Sequence, residues 1–156
     1  YGIANYCESN GLTMDIGAIH QFWGLSSYLT DVSTVKDIAS SYPSVGINQI
    51  YTEEYQNQGY STSAGDITKW FAALEESGVE MAMKSIWDKY DGLDDMLGTK
   101  YDYQFTTVAD QENPGIRKTT WWAMKAYAEM SGTSIKVNND YSNTFAALAS
   151  KDIAAG

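Results

Sequence analysis

Cysteine and histidine are almost missing from this chain: Cys7 and His20 each stand alone among 156 residues. A single thiol cannot close an internal disulfide or build a thiolate metal cluster, and it leaves the redox compartment open. A single imidazole excludes a multi-histidine zinc site, so no metal is expected and proton transfer falls mainly to carboxylates. Basic residues are scarce as well, 10 against 20 acidic, for a net charge of −10 and a pI near 4.3. Such a chain repels phosphate backbones and anionic lipid, so neither nucleic acid nor a membrane surface is an expected partner. No apolar run approaches the roughly 18 residues of a membrane span, and no basic-then-apolar leader opens the chain. A start at Tyr1 rather than Met predicts a removed leader or a longer parent protein.

What is present is a core for one domain, with 44% hydrophobic residues, and a high aromatic content of 13% that includes five Trp and twelve Tyr. Aromatics pack cores; near loops they also stack on the C–H faces of sugar rings. The apolar patterning predicts strand, helix, strand, helix, strand, long loop, helix. Strands are expected over Leu12–Ile19, Val45–Thr52 and Val79–Ile86, starting roughly 33 residues apart, the length of one strand-plus-helix unit with its loops. A Thr30/Asp31 cap predicts a helix over Val32–Ser40, ended by Pro43. Ser63 caps a second helix with Ile67, Trp70, Phe71 and Leu74 at helical spacing and Gly78 just past its end. Asn113 and Pro114 open the longest one, Gly115–Ser131. Three consecutive units imply a parallel α/β sheet, and residues 133–156 change character to two short strands around an Asn-Asn-Asp turn.

The stretch INQIYTEEY, Ile47 to Tyr55, is an apolar run that stops on Glu53 and Glu54. A Thr-Glu-Glu at a strand end is by itself an ordinary solvated turn. At the carboxyl ends of parallel strands, however, it lies where clefts form and where a Glu can act as nucleophile or acid/base. The same rim would hold His20, Trp87 and the loop from Asp88 to Glu112. His20 either satisfies a buried backbone group or faces the Glu. Trp87 is either core or a sugar platform, and Trp70, Trp121 and Trp122 read as packing at least in part. Asp15, inside an apolar strand, needs a partner. Asp88, Asp91, Asp94 and Asp95 read as a solvated loop before they read as a Ca²⁺ site.

Taken in order, these stretches resemble the C-terminal half of a clan A glycoside hydrolase (β/α)8 barrel, nearest to families 39 and 51. NYCESNGLTMDIGAIHQFW resembles the family 39 helix with Tyr-Cys followed by a sixth strand ending in His. IYTEEYQ resembles the seventh strand, where the family places its nucleophile as the Glu of a Thr-Glu pair followed by an aromatic. The resemblance gives that role to Glu53; Glu54 stands where the aromatic usually follows, so Glu54 is the alternative. Phe22 stands where an aromatic hydroxyl would support the nucleophile, and Trp87 matches the Trp at the end of the eighth strand, so His20, Phe22 and Trp87 are the implied substrate-binding residues. TTWWAMKAYAEMSGTSIKV and FAALASKD resemble the last barrel helix and the crossing into a β-sandwich accessory domain. The implied organisation is a partial barrel over 1–132, about its last three βα units, and the first strands of a β-sandwich over 133–156.

The resemblance implies hydrolysis of O-glycosidic bonds in polysaccharide or oligosaccharide with retention, no cofactor, and an extracellular or periplasmic location. Two carboxylates about 5 to 5.5 Å apart would flank the scissile bond. The Asn-Glu that supplies the acid/base on the fourth strand lies outside this chain, so its partner is the remainder of the barrel, on the same longer chain or on a second copy. Loss of acid/base assistance costs about 10²- to 10⁴-fold, so the 156 residues alone are expected to be inactive. The competing readings are a carbohydrate-binding module without catalysis and a self-associating half-barrel.

Overall fold

The computed structural model describes residues 1–21, 24–55, 64–84, 117, 119–139, 141 and 146–152. In chain order these form α1 (Gly2–Ser9), β1 (Ile16–Gln21), α2 (Leu25–Ser41), a short 3₁₀ turn (Pro43–Val45), β2 (Gln49–Tyr55), α3 (Ala64–Ser77), β3 (Met81–Lys84), α4 (Thr119–Ala128), β4 (Thr133–Ile135) and β5 (Ala149–Lys151). The strands β1, β2 and β3 make a parallel sheet in sequence order, and β4 pairs antiparallel with β5. The chain is therefore mixed α/β, with the three-stranded parallel sheet that the repeated units predict.

The alternation along β1 sorts the sheet into two faces. Gly17, Ile19 and Gln21 are buried, whereas Ile16, Ala18 and His20 are exposed. Ile19 and Ile50 join Tyr28 and Val32 of α2 and Ile67, Trp70, Phe71 and Leu74 of α3 in one core on the helix side. A Cβ at Gly17 would lie 2.5 Å from Val35 Cγ1, so α2 can approach β1 this closely only over a glycine. A hydroxyl chain crosses the same core: the Tyr28 hydroxyl lies 3.2 Å from Thr52 Oγ1 and 3.0 Å from Ser77 Oγ, and Ser77 Oγ donates to the Leu74 carbonyl at 2.8 Å. Each buried hydroxyl thus finds a partner. Burial pushes the Tyr28 phenol above its ordinary range.

The opposite face is uncovered among the described residues. Ile16, Met81 and Met83 are 40%, 48% and 46% exposed, although parallel sheets bury both faces.

Several expected boundaries move. α2 starts at Leu25, not after Thr30/Asp31, because Gly24 at φ 119 turns the chain into the helix and Tyr28 and Val32 extend its buried side. Thr30 instead returns its hydroxyl to the Ser26 carbonyl, and Asp31 accepts from Gln21. β2 starts at Gln49, since Val45 closes the 3₁₀ turn and Gly46 adopts a left-handed conformation. Asp15 lies just ahead of β1 and is exposed; its carbonyl, not its carboxylate, takes the Asn48 and Gln49 amides. Trp70 is buried, but Trp122 is 52% exposed. The Ser63 and Pro114 helix starts lie outside the described residues.

Candidate functional site

The carboxyl ends of β1 and β2 meet at an irregularity in the ladder. Ile19 pairs with Thr52, but the next residue, His20, pairs with Glu54, and Gln21 with Tyr55. Against β3 the same step recurs, from Thr52↔Ala82 to Tyr55↔Lys84. Strand β2 therefore carries one extra residue at its two glutamates relative to both neighbours, a β-bulge.

The bulge reverses the phase of the strand. Side chains alternate between faces, so with Ile50 and Thr52 directed to the helices, an unbroken β2 would return position 54 to the core side. The inserted residue prevents that. Glu54 comes opposite His20, whose ring lies on the uncovered face, and Tyr55 turns inward, 3% exposed. Tyr55 then packs on Trp70, ring centroids 5.4 Å apart, and fixes the chain directly after the bulge.

His20 Nε2 and Glu54 Oε2 are 2.5 Å apart, with the two side chains 49% and 30% exposed. An ionised carboxylate can only accept, so in this contact the proton sits on Nε2 and the imidazole N–H donates to Glu54. The tip of β1 is held from behind, because buried Gln21 donates from Nε2 to Asp31 Oδ2 at 2.6 Å and ties the strand to α2. A carboxylate set by an imidazole on an open sheet face can attack an electrophilic carbon, take a proton, or accept hydrogen bonds from hydroxyls.

Of the residues expected from sequence, the structure brings Glu54 and His20 together, while Glu53 is the exposed residue at the bulge. His20 stands about half exposed beside a carboxylate. Phe22, Trp87 and the Asp88–Asp95 loop lie outside the described residues. Gln21, Asp31 and Tyr55 are the supports that sequence reasoning missed. The one signal for them was a polar Gln at the inward phase of an apolar strand, which needs a buried partner.

A cavity of 890 Å³ opens elsewhere, between α3, the start of β3 and α4, lined in part by Phe71, Leu74, Trp121 and Met124. Its lining is mainly apolar, although it includes Glu75, Glu80 and Lys125, and it holds neither His20 nor Glu54, so this hollow and the His20–Glu54 pair do not coincide. Among the described residues no group of three or more His, Cys, Asp or Glu side chains could hold a metal ion, and no helix is long and apolar enough to cross a membrane. No family model matches the chain, and no curated protein or solved structure matches it.

Proposed function

We propose that this chain carries the nucleophile-bearing part of a retaining glycoside hydrolase, with Glu54 as the attacking carboxylate and His20 as the residue that orients it. The observation that carries this reading is the 2.5 Å His20–Glu54 contact on the open face at the carboxyl end of a parallel sheet. Catalytic groups of βα barrels occupy that end of the strands. The uncovered face would be the inner wall of a (β/α)8 barrel whose other strands supply the second carboxylate. Residues 133–156 would begin an accessory β-sandwich.

In the reaction, a Glu54 oxygen attacks the anomeric carbon as the glycosidic C–O bond breaks, and the acid/base carboxylate, on a strand beyond this chain, protonates the leaving oxygen. Water activated by that same group then releases the sugar with retention. The imidazole would orient Glu54 through Oε2, and Oε1 would be the attacking oxygen.

Covalent trapping tests the assignment. The polypeptide that contains the whole barrel, incubated with activated 2-deoxy-2-fluoro glycosides, should gain one fluoroglycosyl group on the peptide that spans β2. An adduct on Glu54 supports the reading, and one on Glu53 moves the nucleophile to the bulge residue. Sugar binding without any adduct would instead make this a carbohydrate-binding module.

A further inference from the structure

The helix side of the sheet is filled unevenly. Under α2 and α3 the inward residues of β1 and β2 include Ile19, Ile50 and Thr52, but the residue of β3 level with Thr52 is Ala82, a single methyl. α4 rests on α3: Tyr127 stacks on Phe71 with centroids 4.2 Å apart and planes 15° from parallel, and its hydroxyl donates to Glu75. Between α3, β3 and α4, over Ala82, lies the half-open cleft of 890 Å³. Small-molecule sites span about 300 to 1,000 Å³ and are mostly apolar, with a few polar groups at fixed places.

Rings and charge decide what fits. Phe71, Tyr127 and Trp121 border the cleft, and flat apolar bodies pack well on such rings. Met124, flexible and unbranched, adapts to the outline of an occupant. Trp121 already carries one cation, since the Arg117 guanidinium lies 4.2 Å from its ring centroid, within the range of a cation–π contact. The charged side chains of the lining are Glu75, Glu80 and Lys125. Each carboxylate is held by a neutral donor: Glu75 accepts from the Tyr127 hydroxyl, and Glu80 Oε2 accepts the Ile50 amide at 2.6 Å. These bonds position both groups without neutralising them. Lys125 is paired with Glu129 one turn further along α4. Among the described residues the lining is therefore anionic on balance, and its complement is a cation.

We propose that the cleft between α3, β3 and α4 binds a small aromatic amine: its flat rings pack against Trp121, Phe71 and Tyr127 over Ala82, and its ammonium group lies towards Glu75 and Glu80. The cleft is on the helix side of the sheet and the His20–Glu54 pair is on the other face, so the site is independent of the glycosidase reading.

A matched trio of probes tests the site on the intact chain: 1-naphthylmethylamine, a cation in neutral buffer, the uncharged 1-naphthalenemethanol, and the anionic 1-naphthoate. In titrations followed by amide chemical shifts, the amine should move Gly78, Val79 and Met81. Its affinity should exceed that of the alcohol about ten-fold, and that of the naphthoate by more. Glu75→Gln combined with Glu80→Gln keeps both hydrogen-bond acceptors and removes both charges. In that variant the amine should fall to the affinity of the alcohol, which itself should not change. Trp121→Leu should weaken amine and alcohol alike, and Ala82→Leu, which fills the floor, should abolish both. Equal affinity for the three probes, or an amine preference that survives the double Gln variant, would overturn the proposal. So would shifts at His20 and Glu54 in place of the cleft, or cleft amides that respond to protein concentration and not to the amine, the signature of a second copy in the cleft.

Discussion

An imidazole and a carboxylate at hydrogen-bonding distance, both partly in water, add little to folding: exposed pairs of this kind contribute about 1 kcal/mol or less. The contact between His20 and Glu54 therefore acts through orientation. His20→Ala should shift the free energy of unfolding by no more than about 1 kcal/mol in urea titration. If Glu54 is the nucleophile proposed above, the same change should lower glycosidase kcat by about 10²-fold, the effect of a misplaced reacting group. A loss of stability as large as the loss of rate would make the pair structural instead. The buried hydroxyl chain behaves oppositely. Tyr28→Phe keeps the ring against Trp70 but leaves Thr52 and Ser77 short of a partner, at a cost of about 1 to 3 kcal/mol. Denaturant unfolding of Tyr28→Phe beside Thr52→Val should show the two changes to be non-additive, because both remove the same bond.

At the level of single elements, the bulge in β2 decides which carboxylate meets the imidazole. Since Glu53 and Glu54 are identical neighbours, deleting either gives the same Thr-Glu-Tyr strand. That strand needs no bulge: Thr52 still faces the helices, the remaining Glu still lies opposite His20, and the Tyr still packs on Trp70. The deletion variant should fold with a Tm within a few degrees of the parent, and a collapse of the Tm would mean that the inserted residue holds the sheet together. Gly17→Ala should be costly by comparison, about 1 to 3 kcal/mol of overpacking against Val35, and Val35→Ala in the same chain should recover part of it. Sheet order and the helix cores were legible in the sequence, because apolar spacing at Ile67, Trp70, Phe71 and Leu74 is a local signal. The choice between Glu53 and Glu54 was not, because a bulge is a property of register between strands and leaves no mark in one strand's pattern. The early start of α2 was hidden by Thr30 and Asp31, which look like a cap but are used within the helix and by Gln21.

At the scale of the molecule, the packing among the described residues lies on one side of the sheet, where α2 and α3 bury their apolar stripes and α4 leans on α3. That lean depends on neutral tyrosine. Tyr127 stacks on Phe71, centroids 4.2 Å apart, and its hydroxyl donates to Glu75, while Tyr141 donates to Glu76 on the next position of the same turn. Burial, then the hydrogen bond and the negative charge of Glu75, push the Tyr127 phenol up to about 12, and burial with Glu76 raises Tyr141 as well. In the unfolded chain both phenols ionise near pH 10. Below that value folded and unfolded chains hold the same protons and these groups leave stability independent of pH. Above it the unfolded chain releases protons that the folded one keeps, so stability falls as pH rises from about 10 to about 12. The chain already carries a net charge of −10, and added phenolates increase its self-repulsion everywhere. Tyr127→Phe separates the two effects, because it keeps the stack on Phe71 and removes the ionisable group; the loss of its bond to Glu75 lowers the midpoint below pH 10 as well and does not by itself steepen the slope. Urea midpoints measured across this window should decline less steeply for Tyr127→Phe than for the parent, while equal slopes would assign the alkaline loss to general repulsion.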